Sequence, residues 1–178
     1  QKDGDRFQGS NCGPAALAMI LDGFGMSRTN GDLRFLMHTY QGTVGMRTGT
    51  ALQHVAHVGQ DLGLQPIGLY NGTDFTRWTV DDVRRELMAG RPVIPLVKYR
   101  LLPGHEESTV RFDHYVVIHG VDGDRFLYHD PSYGNELEGS SLWITADQLD
   151  AAMRIASVPR QAVAFAPGAH AALSALPV

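Results

Sequence analysis

The 178-residue chain contains a single cysteine, Cys12. That scarcity excludes an internal disulfide and leaves no second thiolate for a zinc site. A chain of this size needs neither, because it buries enough surface to fold on its core. Apolar runs are short, and none approaches the roughly 18 residues of a membrane helix. Basic residues are sparse: 15 Lys and Arg stand against 19 Asp and Glu, with a net charge of −4 and one adjacent pair, Arg84–Arg85. A nucleic-acid binder would carry a clustered basic face, so that partner class is not expected. Internal repeats and low-complexity tracts are missing too. The chain begins at Gln1, with neither an initiator Met nor a basic-then-apolar signal segment. It reads as a processed or trimmed product, which leans towards an extracytoplasmic site and leaves the compartment open.

What is present is the composition of one globular domain over 1–178, 43% hydrophobic and 19% charged. The first half has helical periodicity. Helices are expected over 12–24 with Ser10 or Asn11 as N-cap, over 30–40 burying Leu33, Leu36, Met37 and Tyr40, and over 51–62. A flexible connection is expected at 41–50. A strand at 65–70 and a short helix after Thr79, with Asp82 at N3 and Gly90 past its end, follow. The second half changes character, with strand-like runs at 92–99, 114–121, 125–130 and 161–166. A helix capped by Thr145 and Gln148 precedes the last of these. Helices first and antiparallel strands afterwards predict an α+β domain, its helical part over about 11–64 and its sheet over about 65–166. The tail 167–178 reads equally as a docked helix or a frayed end.

Cys12 lies where a loop becomes a helix, ahead of the apolar stripe of Leu17, Ile20, Leu21 and Phe24. Unpaired N–H groups and the positive end of the helix dipole favour a thiolate there, although a small buried hydrophobe is the equally ready alternative. A nucleophilic thiol needs a base, and the base needs an orienting group. The segment DHYVVIHGVDGDRFLYHDPSYG (113–134) offers both. Asp122-Gly123 is a hairpin turn signal. Folding about residue 122 pairs Gly120 with Asp124, Ile118 with Phe126, Val116 with Tyr128 and His114 with Asp130. Directly opposed side chains are close enough for a carboxylate–imidazole hydrogen bond.

The remaining histidines fit less well. His119 and His129 have the opposite strand parity and should face away from His114. His54 and His57 have helical spacing without a carboxylate to complete a metal set, so solvated or packing roles are expected and no metal or other cofactor is implied. The long connection 99–113 leads into His114 and is expected to rim a cleft, with Trp78, Met46 and Tyr133 as candidate walls.

Asn11-Cys12-Gly13 at the head of an apolar helix, Asp113-His114-Tyr115 opening a strand and His129-Asp130-Pro131 ending the next resemble the bacteriocin-processing, double-glycine-leader cysteine peptidases and their stand-alone relatives. The resemblance runs from residue 8 to about 166. It implies a papain-like fold, with Cys12 as nucleophile, His114 as general base and acid, and Asp130 as orienter. The family's oxyanion glutamine stands further upstream of its cysteine than Gln8 does here, four residues before Cys12. Gln8 is the candidate nevertheless, with Asn11 as substitute. The bacteriocin-processing members are fused to a transporter, whereas this chain has no GxxxxGK[ST] motif. The expected activity is a bacterial thiol hydrolase that cleaves a peptide or amide bond in a peptide or protein substrate, as a monomer. Two rivals stand beside it: an acyltransferase of transglutaminase type on the same triad, and a catalytically weak peptide-binding member.

Overall fold

The computed structural model describes residues 1–168; the expectation for the tail beyond 168 lies outside the described residues. Three helices come first: α1 (Cys12–Gly23), α2 (Asn30–Gln41) and α3 (Leu52–Asp61). Strand β1 (Leu64–Ile67), a small hairpin of β2 (Tyr70–Asn71) and β3 (Asp74–Phe75), and α4 (Val80–Met88) follow. Then come β4 (Val93–Lys98), β5 (Asp113–Tyr115), β6 (Val117–Asp122), β7 (Arg125–His129), α5 (Glu136–Gly139), β8 (Leu142–Thr145), α6 (Ala146–Arg154) and β9 (Ala162–Pro167). The expected α+β class is what forms. The β2–β3 hairpin and β8 are additions to the sequence reading; their runs are too short to carry a period.

The main sheet is antiparallel, in the order β1-β9-β4-β6-β7-β8, with β5 also on β4. Both of its faces are covered, which explains why β4 and β9 read as continuous apolar runs. Ile94 and Leu96 of β4, with Val163 and Phe165 of β9, pack against Leu17, Leu21, Leu33, Leu52, Val55 and Val58 of the first three helices. The alternate residues Val93, Val97, Ala162 and Ala164 face a second layer made by Val83 of α4 and Leu149, Ala152 and Met153 of α6. Both of those helices begin with reciprocal capping boxes, Thr79 with Asp82 and Thr145 with Gln148, as their sequences predict.

Helix α2 corrects one expectation. Leu33 and Met37 are buried, but Leu36 and Tyr40 are exposed, and Arg34 and His38 take the inward positions instead. The helix is rotated because the guanidinium of Arg34 has work at the loop before Cys12. It donates to Asn11 Oδ1 (2.9 Å), Met46 O (2.6 Å), Ser10 O (3.3 Å) and Thr48 O (3.3 Å), and it stacks on Phe7. A buried arginine is stable only when its donors are matched in this way. The same contacts tie down the 41–50 connection.

A second correction concerns the expected single strand at 114–121, which breaks at Val116. Val93 pairs with Ile118 and Leu96 with Tyr115, so Val116 stands across from Pro95. Proline has no N–H to donate to a ladder. The interruption separates β5 from β6 and leaves His114 on β5, beside Val97.

Candidate active site

Cys12 opens α1 and is half-buried. The residue after it is a glycine in a tight place: a Cβ at Gly13 would lie 3.2 Å from both Thr50 Cβ and Val55 Cγ2, so a side chain there would push those neighbours back by a few tenths of an ångström. This close approach seats the helix start against Tyr115, whose hydroxyl donates to Thr50 O at 3.0 Å. Asn11 precedes the helix, but its side chain makes no cap hydrogen bond. It is fully buried and committed to Arg34.

His114 and Asp130 meet, though not as the directly opposed pair that the sequence suggests. The turn is tighter, with Asp122 paired to Arg125 across Gly123-Asp124, and Gly123 takes φ +56. A bulge between Ile118 and Gly120 then shifts the register by one, so that Ile118 faces Tyr128 and Val117 faces His129. Continuing that register sets Asp130 opposite Val116, two residues from His114. The contact is therefore diagonal, a distance that an imidazole can span. The bulge is decisive for parity: without it Asp130 would fall on the face away from His114.

His114 Nε2 lies 2.8 Å from Asp130 Oδ1, and both side chains are buried. This leaves Nδ1 for the thiol of Cys12, which lines the same cavity as His114. Ser132 N–H also donates to Asp130 Oδ1 (2.8 Å), an Asx turn made possible because the chain leaves the strand at Pro131. Burial by itself would lower the His114 pKa, but hydrogen bonds and charge from Asp130 and Cys12 outweigh it and raise the group to about 9. Burial likewise works against the charged forms of the two partners. Their bonds and attraction to His114 prevail, holding Asp130 down at about 2 and Cys12 below its ordinary value. The three groups thus favour one another's charged forms.

Asp130 has a second histidine partner that the sequence reading missed. His105 Nε2 lies 3.0 Å from Asp130 Oδ2. Its only sequence signal was membership of the long connection 99–113.

Gln8 is placed elsewhere. It opens a 3-10 turn (Gln8–Ser10), is exposed, and its Oε1 accepts from Gly4 N–H at 3.4 Å. The stacking of Phe7 on Arg34 anchors that turn, and Gln8 does not line the Cys12 cavity, although Gly9 and Ser10 after it do. Trp78 is core, its Nε1 donating to Gly68 O at 2.7 Å. Met46 is exposed, and Tyr133 packs beside His105. His119 and His129 stack on each other with ring centroids 4.0 Å apart, and His57 stacks on Tyr40. Among the described residues no group of three or more His, Cys, Asp or Glu is arranged to hold a metal.

Two cavities meet at Cys12. One, of about 530 Å³, is lined by Ser10, Arg47, Tyr99, Val110, Phe112 and His114. The other, of about 470 Å³, is lined by Thr48, Leu52, Phe75, Leu96, Val158 and Gln161. Gly49 and Asp113 border both, and Asp113 is paired with Lys98 at 2.6 Å. Residues of the 99–113 segment do rim the cleft.

The model of the Peptidase_C39-like family matches residues 1–147. The chain belongs to this family. Among solved structures it is similar to a putative C39-like peptidase from Bacillus anthracis, with TM-score 0.56 and 15% identity over 88% of each chain. It is similar as well to a double-glycine-motif protease from an AMS/PCAT transporter in complex with its leader peptide, with TM-score 0.56 and 18% identity over 88% of this chain and 84% of that one. The peptidase domain of Streptococcus ComA, a bi-functional ABC transporter involved in quorum sensing, gives TM-score 0.50 and 17% identity over 89% and 93%. These likenesses establish a shared fold. No curated protein matches the chain. No described helix is long and apolar enough to cross a membrane.

Proposed function

We propose that the protein is a cysteine peptidase that cleaves a peptide or amide bond through an acyl-enzyme on Cys12. The observation that carries this reading is the line of three groups. Asp130 holds Nε2 of His114 at 2.8 Å, which leaves Nδ1 for the Cys12 thiol, at a helix N-terminus and on the same cavity. In the resting site the proton resides on His114 and the sulfur is a thiolate. Sulfur attacks the substrate carbonyl, and the carbonyl π electrons move to oxygen. The backbone N–H of Cys12, in the first helical turn and so without a partner within the helix, supports that oxyanion. As the tetrahedral species collapses, the C–N bond breaks and His114 passes its proton to the leaving amine. A water then attacks the thioester, giving a proton to His114 as base; the C–S bond breaks, the acid is released and the thiolate is restored beside protonated His114. Asp130 stays ionised throughout and steadies the imidazolium.

A peptide is the substrate class that suits the cleft. Two cavities on either side of Cys12 accommodate an extended chain across the reacting sulfur, and the double-glycine-motif protease of the same fold was solved with its leader peptide. The test is the rate of Cys12 alkylation by iodoacetamide as a function of pH. An activated sulfur reacts well below pH ~8.5, the region of a free thiol, and Cys12→Ala abolishes peptide cleavage. Alkylation with a free thiol's profile, together with cleavage that survives Cys12→Ala, would sink the reading. Product analysis with an added amine separates hydrolysis from acyl transfer.

A further inference from the structure

Asp130 serves two imidazoles, and the second has no part in the reaction as derived. The carboxylate side chain is fully buried, and each oxygen is engaged: Oδ1 by His114 Nε2 and Ser132 N–H, Oδ2 by His105 Nε2 at 3.0 Å. His105 is itself held. Its side chain is 12% exposed, its ring stacks on Tyr99 with centroids 4.2 Å apart, and Tyr133 lies on another side at 5.3 Å. Tyr99 also meets His114 edge-on at 5.2 Å. The His105 backbone is fixed by a bond from its N–H to Leu102 O and by one from Ser108 N–H to its carbonyl. The titratable groups facing His105 are therefore Asp130, Tyr99 and Tyr133, with His114 beyond Tyr99 and Glu106 adjacent in the chain.

We propose that His105 is a positioning residue for the reaction, donating its Nε2–H to Asp130 Oδ2 and so fixing the carboxylate in the plane that His114 needs. The proposal rests on the roles given above to Cys12, His114 and Asp130. The physical argument is one of satisfaction. A buried carboxylate with one oxygen left without a donor must turn or admit water, and either change misaligns the bond to His114. Asp130 sits just beyond the end of β7, where its N–H is held by Gly139 O and its Oδ1 by Ser132 N–H, so the remaining oxygen, Oδ2, depends on a side chain for its restraint. His105 brings that restraint from the segment whose other members, Val110 and Phe112, form a cleft wall.

Two substitutions separate the N–H from the ring. His105→Phe keeps the stacking and loses the donor, whereas His105→Gln keeps a donor at similar reach and loses the ring. The measurement is the pH profile of Cys12 alkylation, which needs no substrate. In wild type it should contain a step at about pH 9, where His114 is expected to lose its proton. His105→Phe should move that step down by about one pH unit and lower kcat roughly tenfold with little change in KM. His105→Gln should retain the wild-type step and most of kcat. Should Phe at this position prevent folding, His105→Asn, whose amide is too short to reach Asp130, is expected to show the same shift. A wild-type profile like that of an ordinary thiol would overturn the triad itself. A normal wild-type profile with His105→Phe superimposed on it, or His105→Gln displaced as far as His105→Phe, would overturn the role of His105 alone.

Discussion

His114 and His119 lie five residues apart on one stretch of chain, yet they hold protons in opposite ways. His114 is buried and raised to about 9, whereas His119 is lowered to about 4. Burial depresses both. At His119 nothing opposes it: the ring stacks on His129, whose charge repels a second proton. At His114 a carboxylate and a thiol on the same face reverse the outcome. The lesson is that one stretch of chain carries a raised and a lowered imidazole, and that the difference comes from which face Asp130 occupies. The bulge at His119 sets that face, so the inert histidine stands at the irregularity that serves the other one.

Removing the carboxylate should collapse the contrast, with the largest effect. Asp130→Asn is expected to bring His114 down towards the behaviour of His119 and to lower cleavage about 10³-fold or more. Stability reports the same loss. The depressed Asp130 contributes stability above its ordinary range near 3.8, which is lost as pH falls through about 2. The raised His114 contributes stability in full below 6.5, which is lost as pH rises through about 9. These are two views of one interaction and are counted once. Denaturant unfolding across pH should show a broad plateau in wild type that drops by about 3 kcal/mol or more in Asp130→Ala, since His114 and His105 both lose their partner.

The next effect sharpens the cysteine side of the comparison. Arg34 joins the loop before Cys12 to the 46–48 segment, and nothing equivalent serves His119. Arg34→Ala should cost about 2–4 kcal/mol, because five backbone or side-chain acceptors lose a charged donor. It should also slow cleavage roughly tenfold by loosening the helix start. Arg34→Lys should recover little, since an ammonium cannot reach Asn11, Ser10, Met46 and Thr48 together. Thermal melts and steady-state rates check both. Gln8 comes lower. Loss of an oxyanion donor costs about 10²–10³ in rate. Gln8→Ala, at an exposed residue turned towards Gly4, should cost well under tenfold.

How far the sequence led differs between these parts. Every long helix was legible, because α1, α3, α4 and α6 have periodic apolar faces with caps or breakers at their ends. The inward face of α2 was not, because an arginine took an inner position for a purpose set by residues far away in sequence. The pairing of His114 with Asp130 was legible through two offsetting errors. The turn is tighter than the one assumed, and an unforeseen bulge returns the register to even parity, so a net shift of two residues preserved the face. The break at Val116 was written in Pro95, but only the pairing of β4 with β5 and β6 places the two opposite. His105 was hidden because no local pattern reports a contact made across 25 residues from within a connecting segment.

The smallest effect tests the inert side. The folded protein refuses a proton at His119 down to about pH 4, while the unfolded chain accepts one near 6.5. The unfolded state therefore binds more protons between those values, and stability should decline as pH falls through that window. His119→Gln should flatten the decline. Because the stacked ring is only partly shielded and the residue as a whole stays open to solvent, screening should keep the change below about 1 kcal/mol, a shift of about 1–3 °C in Tm at pH 5. A residual slope should remain, since His129 is lowered by burial as well. Cleavage should be unaffected, provided that glutamine preserves the bulge. A drop in kcat for His119→Gln would show that the irregularity depends on its own side chain, making the inert histidine a structural determinant of the reactive one.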